Sequence, residues 1–147
     1  MSHVVSIQAE VRDLEALKVA AARLGLEFNE GQRTHRWYGT SVGDYPLPTG
    51  FTVDDLGKCE HAISVPGNHT AYEIGVVKRR DGVAGYELLY DLWQGGYGLV
   101  NHVGRNCNKL VQEYSRETTR RAAIRDGWNI ESERTLQDGS LQLVLAR

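Results

Sequence analysis

Cysteine and histidine side chains that could bind zinc lie close together in the middle of the chain. Cys59, His61 and His69 carry the thiolate and imidazole groups that zinc prefers as ligands. A fourth ligand could come from His35, His102 or Cys107. The segment lacks the closely spaced cysteine pair of typical zinc motifs, and the alternative is an edge-strand cysteine beside exposed histidines. We therefore predict no metal and no cofactor, with Cys59, His61 and His69 as the alternative zinc ligands.

The same segment could supply a nucleophile and a base. Residues two apart on a strand share a face, so His61 could contact Cys59 and lower the pKa of its thiol. No recognisable oxyanion hole accompanies this pair in the sequence. Cys107 lies on the apolar stripe of a predicted helix, where a core position is the simplest interpretation. We therefore assign no catalytic residue and favour a protein without enzymatic activity.

Glu87 and Asp91 are two carboxylates on one predicted strand, and paired carboxylates can serve as a general acid and a general base. Four strand residues span about 13 Å, which is too far for the two groups to share a proton. Asp91 is expected instead to face solvent or to pair with a cation on the neighbouring strand. The candidate cations are Lys78 and Arg79.

Aromatic side chains are concentrated beside a predicted long loop and a glycine-rich break. They are Trp37, Tyr38, Tyr45, Phe51, Trp93 and Tyr97. Rings beside flexible glycines can stack on a planar ligand or anchor a partner protein, whereas the alternative is that they hold the loop on a sheet. The candidate residues for binding a ligand or partner are Trp37, Tyr38, Tyr45, Trp93, Tyr97 and Arg105.

Backbone amides and cations give two further possible anion sites. Gly95, Gly96 and Gly98 precede a predicted helix, whose N-terminal N–H groups attract phosphate, but the lysine and the βαβ context of a P-loop are absent. Basic residues also lie along that predicted helix. They are Arg105, Lys109, Arg116, Arg120, Arg121 and Arg125. Glu117 and Arg121 have the favourable spacing for an ion pair, so we predict a solvated helix face rather than a nucleic-acid interface.

The composition restricts the class of protein. The 147 residues carry 17 Lys and Arg against 19 Asp and Glu, which gives a net charge of −2. A chain of this length is expected to form one domain, and its interspersed charges disfavour a nucleic-acid or membrane-surface partner. Residues 1–13 lack the pattern of a signal peptide, and no apolar run is long enough to span a bilayer. With two cysteines, the chain is expected to be cytoplasmic.

Period-two alternation and turn residues predict the strands. These are Val5–Val11, Leu26–Phe28, His35–Tyr38, Ala62–Val65, Tyr72–Arg79, Tyr86–Trp93, Trp128–Thr135 and Leu141–Leu145. The middle strands are expected to form a meander with a turn at Arg80–Gly82, and the last two a hairpin across Gln137–Gly139. In that hairpin, Leu141, Leu143 and Leu145 are expected to face the core.

Apolar residues at three- and four-residue spacing predict two helices. The first begins after Asp13, whose carboxylate can cap it, and ends at Gly25. The second runs from Leu99 to Gly127, and residues 29–58, with many glycines and prolines, predict a long loop. Two helices on one face of a mostly antiparallel sheet would bury every apolar stripe. The predicted class is therefore α+β, in the order β-α-β-β-meander-α-β-β.

Residues over most of the chain outside 29–58 carry a family resemblance. They are Met1–His3, Asp13-Leu14, Gly25, Tyr72–Val76, Tyr86–Leu88, Asp91, Trp93, Gln112, Tyr114, Gly127 and Asp138–Val144. In this order they resemble an uncharacterised family first described as a conserved hypothetical chloroplast reading frame, found in plastids, cyanobacteria, other bacteria and phages. Ser115 stands where similar sequences usually have alanine. The resemblance implies the fold and a cytoplasmic location (the stroma for plastid relatives), and it transfers no activity.

These observations favour a non-enzymatic binding or adaptor module for a protein partner or a small anionic ligand. One alternative is a phage- or host-encoded sponge for a nucleotide-type molecule, with cations on the phosphates and rings on the bases. Another is a small enzyme or zinc protein that uses Cys59, His61 and His69. A homo-oligomer would form if an edge of the meander paired between chains.

Overall fold

The computed structural model describes residues 2–41, 43, 45–138 and 140–147, and for residues 8–10 it describes the backbone alone. Three parts of the sequence predictions lie outside the described residues. These are Met1 of the family pattern, the side chain of Ala9 in the first strand, and Gly139 of the hairpin turn. The predicted loop over residues 29–58 also includes residues 42 and 44, which lie outside the described residues.

Five strands form one antiparallel sheet in the order β1-β5-β4-β3-β2. They are β1 Val4–Val11, β2 Glu27–Asn29, β3 His61–Ser64, β4 Ile74–Lys78 and β5 Tyr86–Asp91. Because β3, β4 and β5 are neighbours, the predicted meander is confirmed. The strand predicted at His35–Tyr38 is wrong, since the chain there makes one isolated bridge, between Thr34 and Lys58. The α+β class is confirmed.

The helix α1, Leu14–Arg23, begins and ends where the sequence predicts. The Asp13 carboxylate accepts the Ala16 N–H at 3.1 Å, and Gly25 follows the last turn with a φ of +73°. The main core lies between α1, the second helical region and one face of the sheet. Its largest fully buried members are Leu17, Ile63, Ile74, Leu88, Leu99, Leu110, Val11, Val76 and Val103.

The second helical region is interrupted, so the prediction of one helix over Leu99–Gly127 is wrong. It consists of α2, Val100–Val103, and α3, Asn108–Arg125. Between them Gly104 has a φ of +79°, and a Cβ at this position would overlap the side chain of Asn108. The apolar spacing appears continuous because buried residues continue on both sides of the break, at Val103, Cys107 and Leu110.

The strands β6, Asn129–Thr135, and β7, Leu141–Ala146, form a separate two-stranded sheet beside α3. The prediction that Leu141, Leu143 and Leu145 face the core is wrong. The first two are half-buried, and Leu145 is 36% exposed. Alternation indicates which side chains share a face of the hairpin, but it does not indicate that the hairpin packs on the polar side of a helix.

Ion pairs join α1, α3 and β6. Glu117 is 7% exposed and accepts hydrogen bonds at 2.8–2.9 Å from Arg23, Arg120 and Arg121. Burial alone would raise the pKa of Glu117, but the hydrogen bonds from Arg121 and Arg23 outweigh it and lower the pKa. Arg120 also binds Glu133 of β6 at 2.6 Å. The predicted Glu117–Arg121 ion pair is therefore confirmed, and Arg120 is a structural partner rather than a member of a solvated face. Lys109 and Arg125 of the predicted face are exposed.

The described residues of the segment 30–60, which we call the second layer, cover the second face of the sheet and form a smaller core there. Phe51, Leu56 and Cys59 of this segment pack with Val77 and Leu89 of the sheet. The guanidinium of the turn residue Arg80 lies 4.5 Å from the centre of the Phe51 ring. The sheet is therefore buried on both faces, by helices on one side and by an irregular segment on the other.

Asp91 anchors this second layer from inside the protein. Its side chain is 0% exposed. One carboxylate oxygen accepts the N–H groups of His3 at 2.9 Å and Trp93 at 3.0 Å, and the other accepts the Tyr38 N–H at 3.0 Å. The expectation of a solvent-facing carboxylate is thus wrong. Among the described residues, no ion pair links Asp91 to Lys78 or Arg79 either.

Asp91→Asn should lower the free energy of unfolding by about 1.5–3 kcal/mol, because an NH₂ group would replace an oxygen that accepts buried N–H groups. Asp54→Asn changes an exposed carboxylate of the same layer and should change stability by less than about 0.5 kcal/mol. Urea unfolding measures both variants. Equal stability of the two proteins would contradict the anchoring role of Asp91.

His35 lies between the second layer and the sheet and is 4% exposed. A Cβ on Gly75 would lie 2.5 Å from its ring, so the sheet glycine makes room for it. The His35 Nδ1–H donates to the Glu73 carbonyl oxygen at 3.2 Å, and Nε2 is buried with no hydrogen-bond partner among the described residues. Burial lowers the pKa of His35, against the opposing effects of Glu73 and Asp91.

The free energy of unfolding should therefore fall as the pH drops below the ordinary histidine value of 6.5, because the unfolded chain then binds a proton that the folded chain excludes. One such group contributes at most about 1.4 kcal/mol per pH unit. His35→Gln should remove this part of the pH dependence, and His69→Gln, at an exposed histidine, should not. Urea unfolding at about pH 7.5 and about pH 5.5 measures the difference. An unchanged pH dependence in His35→Gln would contradict this account.

Candidate functional site

The residues after β5 form a left-handed turn. Gln94, Gly95, Gly96 and Tyr97 have φ values of +52°, +63°, +65° and +53°. Residues with a Cβ avoid this conformation because the Cβ crowds the following carbonyl oxygen, at a cost of about 1–2 kcal/mol each. The two glycines avoid that cost, whereas Gln94 and Tyr97 store strain. Strained backbone of this kind concentrates at functional sites.

Contacts with the segment before β4 hold the turn in place. The Tyr72 N–H donates to the Gly96 carbonyl oxygen at 2.8 Å. The Tyr97 ring packs edge-on against the Tyr72 ring, with 5.1 Å between the ring centres. A Cβ on Gly96 would lie 3.0 Å from Leu99 Cβ, so the glycine permits close packing against the start of α2.

A pocket of about 280 Å³ opens between this turn, the start of α2 and the break before α3. We call it the Arg105 pocket, and its lining residues are Tyr90, Leu92, Gly95, Leu99, Val100, Arg105 and Asn106. Apolar side chains make most of its wall, and Arg105 is the charged residue among them. Asn106 has a φ of +55°, so strained backbone borders the pocket on the side of the break as well as on the side of the turn.

The buried hydroxyl and thiol groups near this pocket are neutral at pH 7. Tyr90 is 6% exposed, and burial raises the pKa of its hydroxyl. Cys107, next to Asn106, is fully buried, and burial raises the pKa of its thiol to about 12. The positive charge of Arg105 is therefore not offset by any of the described side chains that line the pocket.

Residues 49–144 match the model of a family described as Protein of unknown function (DUF1257). The chain belongs to this family. No curated protein and no solved structure matches the chain. In this DUF1257 protein the matched region runs from within the second layer to within β7 and includes the whole Arg105 pocket, whereas β1, α1 and β2 precede it. In the described part of the chain, every helix is too short or too polar to cross a membrane.

The DUF1257 protein brings Tyr45 and Trp93 together through a residue that the sequence analysis missed. His3 stacks on Tyr45, with 4.4 Å between ring centres, and meets Trp93 edge-on at 5.1 Å. Sequence spacing gives no signal for His3, because its partners are distant in the chain. Tyr38 is 43% exposed, and Trp37 packs against the smaller core.

Of the predicted binding residues, Arg105 is the one among the described residues that line the pocket. Tyr97 belongs to the left-handed turn, with 47% of its surface exposed. The sequence analysis missed the apolar lining residues Tyr90, Leu92, Leu99 and Val100 as site residues. Tyr90 and Leu92 fall within or just after β5, but the opening beside them is also lined by residues of the helix break.

Cys59, His61 and His69 do not come together as a site. The Cys59 thiol donates to the Gln32 carbonyl oxygen at 3.2 Å, and His61 Nδ1 accepts the Gly31 N–H at 2.9 Å. His69 is exposed. Within the part of the chain that the structure describes, no three His, Cys, Asp or Glu side chains are grouped so that they could hold a metal ion.

The two carboxylates of β5 are occupied by hydrogen bonds within the protein. Glu87 is 5% exposed and accepts the Ser6 hydroxyl and, at 3.0 Å, the Arg80 N–H. Asp91 accepts the three N–H groups described above. These bonds hold β1, the turn after β4 and the second layer against β5. The glycine-rich stretch Gly95–Gly98 leads into a helix of 4 residues, which is short for a phosphate-binding helix.

Gln94→Gly should raise the free energy of unfolding by about 1 kcal/mol, because relief of about 1–2 kcal/mol of left-handed strain exceeds the entropic cost of a glycine. Gln137→Gly, at an exposed position without a positive φ, should lower stability or leave it unchanged. Thermal unfolding measures both proteins. A destabilised Gln94→Gly protein would show that the turn stores no strain at this residue.

Proposed function

We propose that this protein is a non-enzymatic binding module for a small anion with an apolar body, which it holds in the Arg105 pocket. The observation that carries the proposal is an apolar pocket with one guanidinium and no opposing negative charge among its described lining residues. The volume of about 280 Å³ lies just below the usual range for ligand pockets, which favours a small ligand.

The chemistry of the pocket favours a single negative charge on the ligand. A guanidinium presents a planar fork of N–H groups that matches a carboxylate or a phosphate oxygen pair. The walls formed by Leu92, Leu99 and Val100 offer no further cation, so a second charge would remain unpaired. The Tyr90 hydroxyl can donate one more hydrogen bond to an anionic oxygen.

Two features support binding rather than catalysis. Burial and the neighbouring charges of Glu60 and Glu73 raise the pKa of Cys59 to about 12, so its thiol is protonated and a poor nucleophile at pH 7. The carboxylates of Glu87 and Asp91 are saturated by hydrogen bonds within the protein. An enzymatic or zinc-dependent role for Cys59, His61 and His69 therefore has less support than a binding role.

Two other binding roles remain as alternatives. A nucleotide sponge would need several cations and a stacking ring, and the described lining of the pocket supplies one cation. A protein partner is favoured by a different observation, the stack of Tyr45, His3 and Trp93 beside the exposed ring of Tyr38. The family resemblance supports a cytoplasmic or stromal setting in bacteria, phage-infected cells or plastids for each of these roles.

Calorimetry with benzoate, phenylacetate and hexanoate tests the proposal, with benzamide as the uncharged counterpart of benzoate. We expect at least one of the acids to bind, and the amide to bind about 10-fold more weakly or not at all, because a hydrogen bond to a charged group contributes about 1.5–3 kcal/mol. Arg105→Gln should weaken binding by about 10-fold or more. Arg125→Gln, which removes an exposed arginine outside the pocket, should leave binding unchanged.

Three outcomes would overturn this assignment. Absence of heat with every acid, for the unmodified protein, would remove the apolar anion as a ligand. Heat with adenosine monophosphate alone would favour the nucleotide sponge. Binding that survives in Arg105→Gln would place the ligand elsewhere on the molecule. A native mass spectrum of the protein purified from its source cell adds a direct reading of any protein that remains attached.

A further inference from the structure

The outer strand of the hairpin has a free edge. β6 and β7 pair only with each other in the described sheets, and β6 lies on the side of α3, where Arg120 binds its Glu133. A two-stranded sheet alone is marginally stable, and three or more strands are usually needed. The side of β7 that faces away from β6 therefore presents backbone N–H and C=O groups without strand partners.

Hydrogen-bond alternation shows which residues of β7 point to that edge. The Leu136 N–H donates to the Ser140 carbonyl oxygen at 2.8 Å, so these two residues form a hydrogen-bonded pair. Paired residues alternate between bonded and non-bonded in an antiparallel ladder. Leu141 lies opposite Thr135, and Leu143 lies opposite Glu133, at the non-bonded positions. The backbone groups of Leu141 and Leu143 therefore point away from β6.

This edge lacks the features by which proteins usually block edge-to-edge pairing. Natural edges carry charges, prolines or bulges, or have very short strands. β7 has the sequence LQLVLA, without a charge, a proline or a glycine. The extra residue of the β6–β7 ladder is Glu131, on β6 rather than on β7. Among the other edges, β2 has 3 residues, and the start of β1 shares a pocket with residues 46–49.

We propose that β7 pairs in antiparallel orientation with β7 of a second copy of this chain, about a two-fold axis at Leu143. In this register Leu143 faces its own counterpart, and Leu141 faces Leu145 of the second copy. Each of these residues points its backbone groups to the free edge, so the bonding pattern of an antiparallel ladder is satisfied. The result is an isologous four-stranded sheet, as a two-fold interface requires.

The side chains also fit this occupant. Leu141, Leu143 and Leu145 share one face of β7, and in the monomer they are half-buried or, for Leu145, 36% exposed. The two-fold pairing joins both leucine rows into one apolar stripe across the sheet. No charged residue lies within 141–146, so no like charges oppose each other in the paired strands. The matching leucine rows and the absence of opposing charges favour a second copy as the occupant.

Two variants at Leu143 separate the backbone contribution from the side-chain contribution. Leu143→Pro removes the outward N–H, and Leu143→Ala keeps it while shortening the side chain to a similar extent. Proline is tolerated at edge positions whose N–H faces solvent, so β6–β7 pairing should survive in both variants. The monomer mass is 16.4 kDa. At high concentration, light scattering should give twice this mass for the unmodified protein and for Leu143→Ala. It should give the monomer mass for Leu143→Pro.

Hydrogen exchange of the unmodified protein gives a second measurement that needs no variant. The amides of Leu141 and Leu143 should exchange slowly at concentrations where the dimer forms and rapidly on dilution. The amide of Gln142, which bonds to β6, should remain protected in both states. A monomer mass at every concentration would overturn the proposal. A dimer in which the Leu141 and Leu143 amides exchange rapidly, or a dimer of Leu143→Pro, would overturn it as well.

Discussion

Asp91 is a fully buried carboxylate whose two oxygens accept N–H groups from three separate stretches of the chain: the start of β1, the second layer and the turn after β5. A buried negative charge is stable only when it is fully hydrogen-bonded, so each of these three stretches must keep its position. Bonds to a charged group are also stronger than bonds between neutral groups. The geometry of the second layer and of the left-handed turn thus depends on one side chain.

The strained turn and the Arg105 pocket follow from that constraint. The Trp93 N–H is held by the Asp91 carboxylate, and the Gly96 carbonyl oxygen is held by the Tyr72 N–H. Between these two hydrogen bonds the chain takes a left-handed path. A wall that is already formed would lower the entropic cost of binding the ligand proposed above. The break after Gly104 supplies the opposite wall, because Arg105 and Asn106 lie in it.

The parts of the fold that depend on local chemistry could be predicted from the sequence. Asp13 caps α1 and Gly25 ends it as expected, and the meander follows from alternation together with turn residues. The break between α2 and α3 could not be predicted, because its buried residues keep helical spacing through the non-helical stretch. Asp91 was misjudged for a related reason: alternation assigns a polar residue to the solvent face, and in this protein an irregular segment buries that face.

The second layer leaves and rejoins the sheet at neighbouring points. The His35 N–H donates to the Gly57 carbonyl oxygen, and the Cys59 N–H donates to the Arg33 carbonyl oxygen, each at 2.9 Å. Because the two ends of the segment are already held together, each doubling of its length should add only about 0.6 kcal/mol to the entropic cost of closing the loop. Gly39 and Thr40 lie at exposed positions within it. Residues inserted at this exposed point should therefore leave the closed base of the segment, and the sheet beneath it, in place.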